Sequence, residues 1–433
     1  MIERNHYLEI LKRKKENGMI KVITGIRRCG KSYLLFEIYH GYLNSIGVEN
    51  SQIIELALDD DLNIRYRNPL ELGKHIRELV ADNGKMHYVF LDEIQKVESI
   101  KNPYLPDSAE KITFVDTLLG LAKLKNVDLY VTGSNSKMLS SDILTEFRGR
   151  GDEIRIRPLA YSEFYASYEG VNGNKANAWR DYYTYGGMPA LSDMRTHKDK
   201  QTYLFNLFNK IYLDDIIARN EIKNEKSVLD DLLDIISSSV GSLTNPPKLA
   251  RAFESLKKIK VSPLTIERYL DFFIDAFIVS KAMRYNVKGK KYIGSPQKYY
   301  FEDIGLRNAR LNFRQTEEAH LMENIIYNEL LYRGFSVDVG IVEYNYKDGD
   351  GKSKRKNLEI DFVAGNGSER YYIQSALNVS EEEKRIQETR PLAATKDFYK
   401  KIVVVKDNIV PWHDEKGILY IGIETFLLEG FGN

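Results

Sequence analysis

Cysteine is almost absent from this 433-residue chain: Cys29 is the single one, which excludes an internal disulfide and a thiolate zinc cluster. An excess of one charge is missing too. Lysine and arginine number 63 against 62 aspartates and glutamates, so any contact with a polyanion must come from a local patch. No apolar run reaches the ~18 residues that a membrane span requires, and the charged start Met1-Ile2-Glu3-Arg4 has no signal-peptide core. The expectation from these absences is a cytoplasmic protein without membrane attachment. At 43% hydrophobic and 29% charged residues the composition is that of ordinary globular chains, and the length calls for about two to four domains.

Against this plain background one stretch stands out. Residues 25–32 read GIRRCGKS and fit G-x-x-x-x-G-K-[ST], the pattern of a loop whose backbone amides surround nucleotide phosphates. Its context matches. Met19-Ile20-Lys21-Val22-Ile23-Thr24 is a β-branched run of the kind buried in a parallel sheet, and from Ser32 onward Tyr33, Leu34, Phe36, Ile38, Tyr39, Tyr42 and Leu43 keep a helical apolar stripe. The loop amides and the helix N-terminus then converge on one anion site. Further on, His87-Tyr88-Val89-Phe90-Leu91 ends in Asp92-Glu93, an acidic strand tip of the kind a magnesium ion needs, expected side by side with the tip of the first strand.

Roles follow from the chemistry. Gly25, Arg28, Cys29, Gly30, Lys31, Ser32 and Tyr33 are the expected phosphate-site residues, with Lys31 on the β and γ phosphates. Ser32 and Asp92 are the magnesium ligands, and Glu93 is the base that orients or deprotonates the attacking water. Cys29 has two readings, a small residue that fits a tight loop or a thiol activated by the helix N-terminus.

Residues 52–57 read as a second strand, 69–81 and 114–124 as helices, and 127–132 as a further strand ending in Gly133-Ser134-Asn135-Ser136. Ser134 or Asn135 is the expected sensor of the γ phosphate. Then come Phe147-Arg148-Gly149-Arg150 and a strand over 153–157, and Arg150, with Arg148 as the alternative, is the candidate arginine that neutralises the γ phosphate from its own or a neighbouring subunit. Alternating strands and helices give an α/β fold with a parallel sheet.

Taken together, GIRRCGKS, YVFLDE, VTGSNS, FRGR and PLAYSEF resemble the AAA-type P-loop ATPases of bacteria and archaea that carry a C-terminal domain of unknown function. The resemblance covers nearly the whole chain, with most of its weight on residues 19–189. It implies ATP and Mg²⁺ as cofactors. Tyr185-Gly186-Gly187-Met188-Pro189 resembles the GxP element of the related signal-transducing STAND ATPases, which implies that Pro189 lies near the nucleotide.

The domains expected are a P-loop ATPase domain over 1–158, a helical lid over 159–230, a winged-helix domain over 231–309 and a small nuclease-like α/β domain over 310–433. Asn245-Pro246-Pro247 and Ser262-Pro263 start two helices, and the strands that follow present Lys288, Lys290 and Lys291 in the presumed wing. That wing suits DNA phosphate, whereas the winged helices of STAND-like ATPases also serve as internal hinges. The last domain looks like a PD-(D/E)xK nuclease fold, with Glu323 on its first helix and Asp361 as a metal anchor. It departs from an active member at two positions: Gln374 stands where the second acid belongs and Ala376 where the lysine belongs, with Lys384 as the candidate substitute.

The reading that results is a magnesium-dependent ATPase acting as a nucleotide-driven switch, on DNA or a protein partner and with homo-oligomers open to it. The alternatives are a DNA-binding regulator or scaffold with little hydrolysis, and an ATP-gated nuclease.

Overall fold

Five strands, Ile20–Thr24 (β1), Ile53–Ala57 (β2), His87–Asp92 (β3), Val127–Thr132 (β4) and Gly151–Arg155 (β5), form one sheet in the order β2-β3-β4-β1-β5, the first four rich in apolar residues. Each neighbouring pair is parallel. Every residue of β1 and β3 is buried, as strands covered on both faces must be. The chain is seen in a computed structural model that describes residues 2–80, 84–133, 147, 149–169, 174–220, 222, 226–314, 317–347, 349 and 352–431. It divides into two units, Met1–Pro158 with Asp275–Phe277, and Leu159–Ile274 with Ile278–Asn433.

In the first unit the covering helices are Asn5–Lys14 (α1), a continuous helical run through Lys31–Tyr33, a π-helical turn Leu34–Tyr39 and His40–Ser45 (α2), Pro69–Leu79 (α3) and Phe114–Leu121 (α4). Their starts are written in the sequence. Asn68 accepts the Leu70 and Glu71 amides ahead of Pro69, and Thr113 with Asp116 forms a capping box. Val22, Leu56, Leu91, Leu118 and Val131 belong to the core between sheet and helices.

One difference from the sequence expectation bears on the site. The tips of β1 and β3 are not adjacent: β4 runs between them, so Thr132 at the end of β4 stands between the phosphate loop and the acidic tip.

A lysine in the middle of β1 also needs a reason. Lys21 is fully buried and ion-paired with buried Asp128 on β4, whose other oxygen accepts from Tyr130 at 2.7 Å. Tyr130 in turn shares a hydroxyl contact of 2.7 Å with Tyr39 of α2. Burial pushes the Lys21 amine below its usual range, and Asp128 opposes that shift.

The second unit opens with helices, Tyr161–Ser167 (α5), Ala178–Tyr185 (α6), a run from His197–Asn206 through Leu207–Tyr212 to Leu213–Arg219 (α7), Lys226–Ser238 (α8), Pro246–Lys257 (α9) and Pro263–Asp275 (α10). The hairpin Val279–Asn286 (β6) and Lys291–Phe301 (β7) follows, then Ile304–Arg310 (α11) and Glu318–Tyr332 (α12). Ser336–Lys347 (β8), Ser353–Asn366 (β9), Glu369–Ala376 (β10), Glu382–Ala394 (α13), Lys400–Val405 (β11), Trp412–His413 (β12), Ile418–Gly422 (β13) and Ile423–Leu428 (α14) complete it. All eight strands belong to one sheet, β12-β13-β11-β10-β9-β8-β6-β7. The hairpin expected as a free-standing wing is therefore joined to the sheet of the C-terminal residues, β6 running parallel to β8 with Arg284 opposite Val339. No described helix is long and apolar enough to cross a membrane.

The Lys21–Asp128 pair yields a stability prediction. Asp128→Ala strands a buried ammonium and should lower the unfolding free energy by about 3–5 kcal/mol, whereas Lys21→Met/Asp128→Leu should recover most of that loss. Urea denaturation of the three proteins reads it directly; a loss under about 1 kcal/mol for Asp128→Ala would contradict the assignment.

Candidate nucleotide site

The loop of residues 25–32 leaves β1 at its buried C-terminal end. Gly25 takes φ 142°, and a Cβ there would stand 2.1 Å from the carbonyl oxygen of Ile156, so only glycine fits. Arg28 at φ 65° and Gly30 at φ 96° turn the chain back into α2, whose first bond runs from Leu34 N–H to Gly30 O at 3.0 Å. Cys29 is fully buried with its thiol directed at Ile156 O, 3.5 Å away, which favours the small space-filling residue over the exposed reactive thiol. Arg27 and Arg28 are exposed, and Tyr33 is half-buried.

Lys31 is 4% exposed, and its ammonium donates to the carbonyls of Gly25 at 3.0 Å and Ile26 at 3.1 Å. It thus lies inside the curl of the loop. Ser32 donates its hydroxyl to Asp92 Oδ2 at 2.7 Å, and the Thr132 hydroxyl holds the other oxygen of Asp92. The start of α2 and the ends of β3 and β4 are joined in this way. Glu93 follows in a left-handed turn at φ 52°, its amide donating to Thr132 Oγ1 at 3.1 Å and its carboxylate taken by the Gln95 side chain. Hard oxygen groups from Ser32 and Asp92, an ammonium and a glycine-shaped cradle are the donor set that a magnesium triphosphate takes, so the residues fit the group.

Sequence reasoning missed two contributors here. Thr132 was passed over for the residues after it, although a hydroxyl ending a buried strand is a signal in itself. Arg4, buried near the start of the chain, donates to Cys29 O at 3.2 Å and to Arg157 O at 2.6 Å, pinning the loop to the segment after β5. Nothing local in the sequence marks it.

Arg150 requires a correction. Its carbonyl accepts from Ile20 N–H at 2.7 Å, at the N-terminal end of β1, and Gly151 pairs with Ile20 while Arg155 pairs with Thr24. Four residues of strand, about 13 Å, separate that end from the loop, so Arg150 does not serve the site of its own chain. Ser134, Asn135 and Arg148 lie outside the described residues.

Pro189 belongs to the second unit, where its turn is firmly built. Gly186 has φ 76° and Gly187 donates to Asp303 Oδ2 at 2.7 Å, while Leu159 N–H reaches Gly187 O at 2.7 Å. Asn308 on α11 holds the carbonyls of Tyr183 and Thr184 at 2.9 and 3.0 Å. Burial pushes the Asp303 carboxyl up to about 6, against the backbone amides of Gly187, Leu306 and Gly305 that favour its charged form.

Lys288, Lys290 and Lys291 sit at the turn of the β6–β7 hairpin, all exposed, with the Lys288 ammonium donating to Glu343 O at 2.8 Å. The hairpin carries a more telling lysine further along. Lys298 on β7 is buried, and its ammonium lies 2.8 Å from Glu323 Oε1, 2.8 Å from Glu359 Oε1 and 3.8 Å from Asp361 Oδ1. Tyr300 adds a hydrogen bond of 2.6 Å to Glu323, and Ser375 N–H donates to Asp361 at 2.9 Å. Gln374 spends its amide on Glu388 at 3.3 Å and its oxygen on the Asp361 N–H at 3.4 Å, and Ala376 is buried. Lys384, the expected substitute cation, instead pairs with Glu381 on the exposed side of its helix. The cation among these carboxylates is Lys298, and no group of three or more metal-ligating side chains is disposed for an ion among the described residues.

One ammonium cannot balance three carboxylates of which Glu323 and Asp361 are buried and Glu359 is partly exposed. Asp361, the farthest from Lys298, is the one pushed up, to about 8, by burial first and by Glu323 next, with Lys298 opposing.

Residues 17–165 match a family described as an AAA domain, and residues 176–317 match a domain of unknown function. An uncharacterized protein of Haemophilus influenzae is 32% identical over 93% of this chain and 93% of its own length. An uncharacterized protein of Methanocaldococcus jannaschii is 27% identical over 92% of this chain and 82% of its own. A Walker-type ATPase of Pyrococcus abyssi superposes with a TM-score of 0.48 at 16% identity, covering 72% of this chain and 96% of that one.

The raised carboxyls have a pH consequence. A folded-state pKa above the unfolded value means that the native state binds more protons, so its stability falls as pH rises. Asp303 near 6, Glu329 near 7 and Asp361 near 8 should make the second unit lose stability progressively from about pH 4 to 8, with the pH 7–8 portion belonging mainly to Asp361. Urea midpoints at pH 5, 7 and 8 test this; Asp361→Asn should flatten the last interval, and an unchanged slope in that variant would refute the assignment.

Proposed function

This chain belongs to the same family as the Haemophilus influenzae protein and carries an AAA domain, and from that premise we propose that it is a magnesium-dependent ATPase whose nucleotide state switches what its second unit binds. The observation that carries the reading is the 2.7 Å bond from Ser32 to Asp92, which unites the loop pattern and the acidic strand tip across an intervening strand.

The residues divide the work. Gly25 and Gly30 give the loop the curvature that turns its amides inward, and Lys31, already buried among loop carbonyls, supplies positive charge for the β and γ phosphates. Ser32 and Asp92 would hold Mg²⁺, which when bound supplies neutralising charge to the phosphates. Glu93 lies beside this pair on the chain, and Thr132 fixes its backbone, so the carboxylate is the group to orient a water and accept its proton. The Glu93–Gln95 contact is one that must open for that role.

A second reading, ATP held but scarcely hydrolysed, is favoured by the position of Arg150 at the opposite end of β5. Cleavage of DNA by the last domain is disfavoured by Lys298, whose ammonium already engages Glu323, Glu359 and Asp361, the carboxylates that would hold a metal.

Steady-state phosphate release from Mg-ATP distinguishes the readings. Lys31→Ala should abolish nucleotide binding, and Glu93→Gln should bind ATP while turning over about 100-fold or more slowly. A wild-type protein with no measurable turnover would favour the holding role, and Glu93→Gln turnover at the wild-type rate would remove Glu93 from catalysis.

A further inference from the structure

The β8–β9 hairpin and α13 flank a groove of about 820 Å³ whose lining is strongly one-sided in charge. Lys288, Lys356, Arg390, Lys396 and Lys416 face it from five different segments, against the single carboxylate of Glu343. That carboxylate is engaged by Arg355. None of the five cations has an ion-pair partner among the described residues, and all are exposed. Five exposed cations around one groove give it a positive potential that favours an anion of matching extent, and salt weakens that attraction.

The groove offers more than charge. Tyr344 and Tyr346 lie two apart on β8 and so project from the same face, their rings 6.3 Å apart and 13° from parallel. Leu358 and Ile386 give the floor an apolar character, and Ile386 is 47% exposed. Parallel, partly exposed rings beside a track of cations are suited to bases that stack and phosphates that follow. A duplex hides its base faces, and an acidic peptide has none.

We propose that this groove is a binding surface for single-stranded nucleic acid, held by phosphate contacts to the five cations and by stacking of bases on Tyr344 and Tyr346. It is independent of the nucleotide reading of the first unit. It also shifts the polyanion contact away from the hairpin turn, since only Lys288 of the three turn lysines lines the groove.

Fluorescence anisotropy with a labelled mixed-sequence 20-nucleotide strand and the full-length protein, without ATP, tests it. Five phosphate contacts give a slope of log K against log salt of about −3.5, at about −0.7 per phosphate. Lys356→Glu/Arg390→Glu should weaken binding by about 10-fold or more and reduce the slope by about 1.4. Tyr344→Leu/Tyr346→Leu should weaken it by about 30-fold or more with the slope unchanged, which a general loss of structure or of charge does not produce. Unaltered thermal melting identifies the variants that keep their fold, and Lys416→Glu, on a surface turn, gives an independent charge reversal. Four results overturn the proposal: no binding of the strand at 50 mM salt, tighter binding of the matching duplex, equal capture of a poly-glutamate peptide, or loss with Lys290→Glu/Lys291→Glu but not with Lys356→Glu/Arg390→Glu.

Discussion

The bond between the Ser32 hydroxyl and the Asp92 carboxylate is the constraint around which the first unit is arranged. Asp92 ends β3 and Ser32 opens the helix that follows β1, and a parallel sheet brings the strand ends and the helix starts that follow them to one edge. Interposing β4 between them spaces the loop from the acidic tip and brings Thr132 to the free oxygen of Asp92. The same step places the Thr132 hydroxyl on the Glu93 amide, so one strand end orients both acidic residues. Burial of the whole of β1 and β3 gives this edge a rigid base.

Much of this was legible in the sequence, and the reasons are local. Glycines at 25 and 30 are demanded by backbone geometry, Lys31 and Ser32 follow at fixed offsets, and a buried apolar run ending in Asp92-Glu93 has a recognisable form. Strand order was not legible, because nothing in a strand's own residues says which neighbour it takes. Arg150 does not reach the loop of its own chain for a reason that the topology supplies: it precedes β5, and residues preceding a parallel strand lie at the edge opposite the loops that follow one.

The second unit was harder still, since its decisive contacts link residues far apart in the chain. A lysine at 298 within Lys-Tyr-Tyr-Phe gives no hint that three carboxylates from α12 and β9 surround it. The departures from the nuclease-like pattern, Gln374 and Ala376, were visible, but the cation that engages the neighbouring carboxylates comes from a different hairpin. In the same way Asp303 and Asn308 hold the Gly186–Pro189 turn from more than 100 residues away, at distances only the fold discloses. Apart from the partly exposed Glu359, the charged members of both clusters are buried, and hydrogen-bonded polar interiors specify a unique arrangement.

Magnesium triphosphate binding at the Ser32–Asp92 edge is what the proposed switch requires. Isothermal titration calorimetry of Mg-ATP into the wild-type protein, and into Ser32→Ala and Asp92→Asn, measures this without requiring turnover. The account predicts one site in the wild type, with affinity for Mg-ATP reduced in both variants and with metal-free ATP affected much less. Equal affinity in all three folded proteins, or no heat in the wild type, would contradict it.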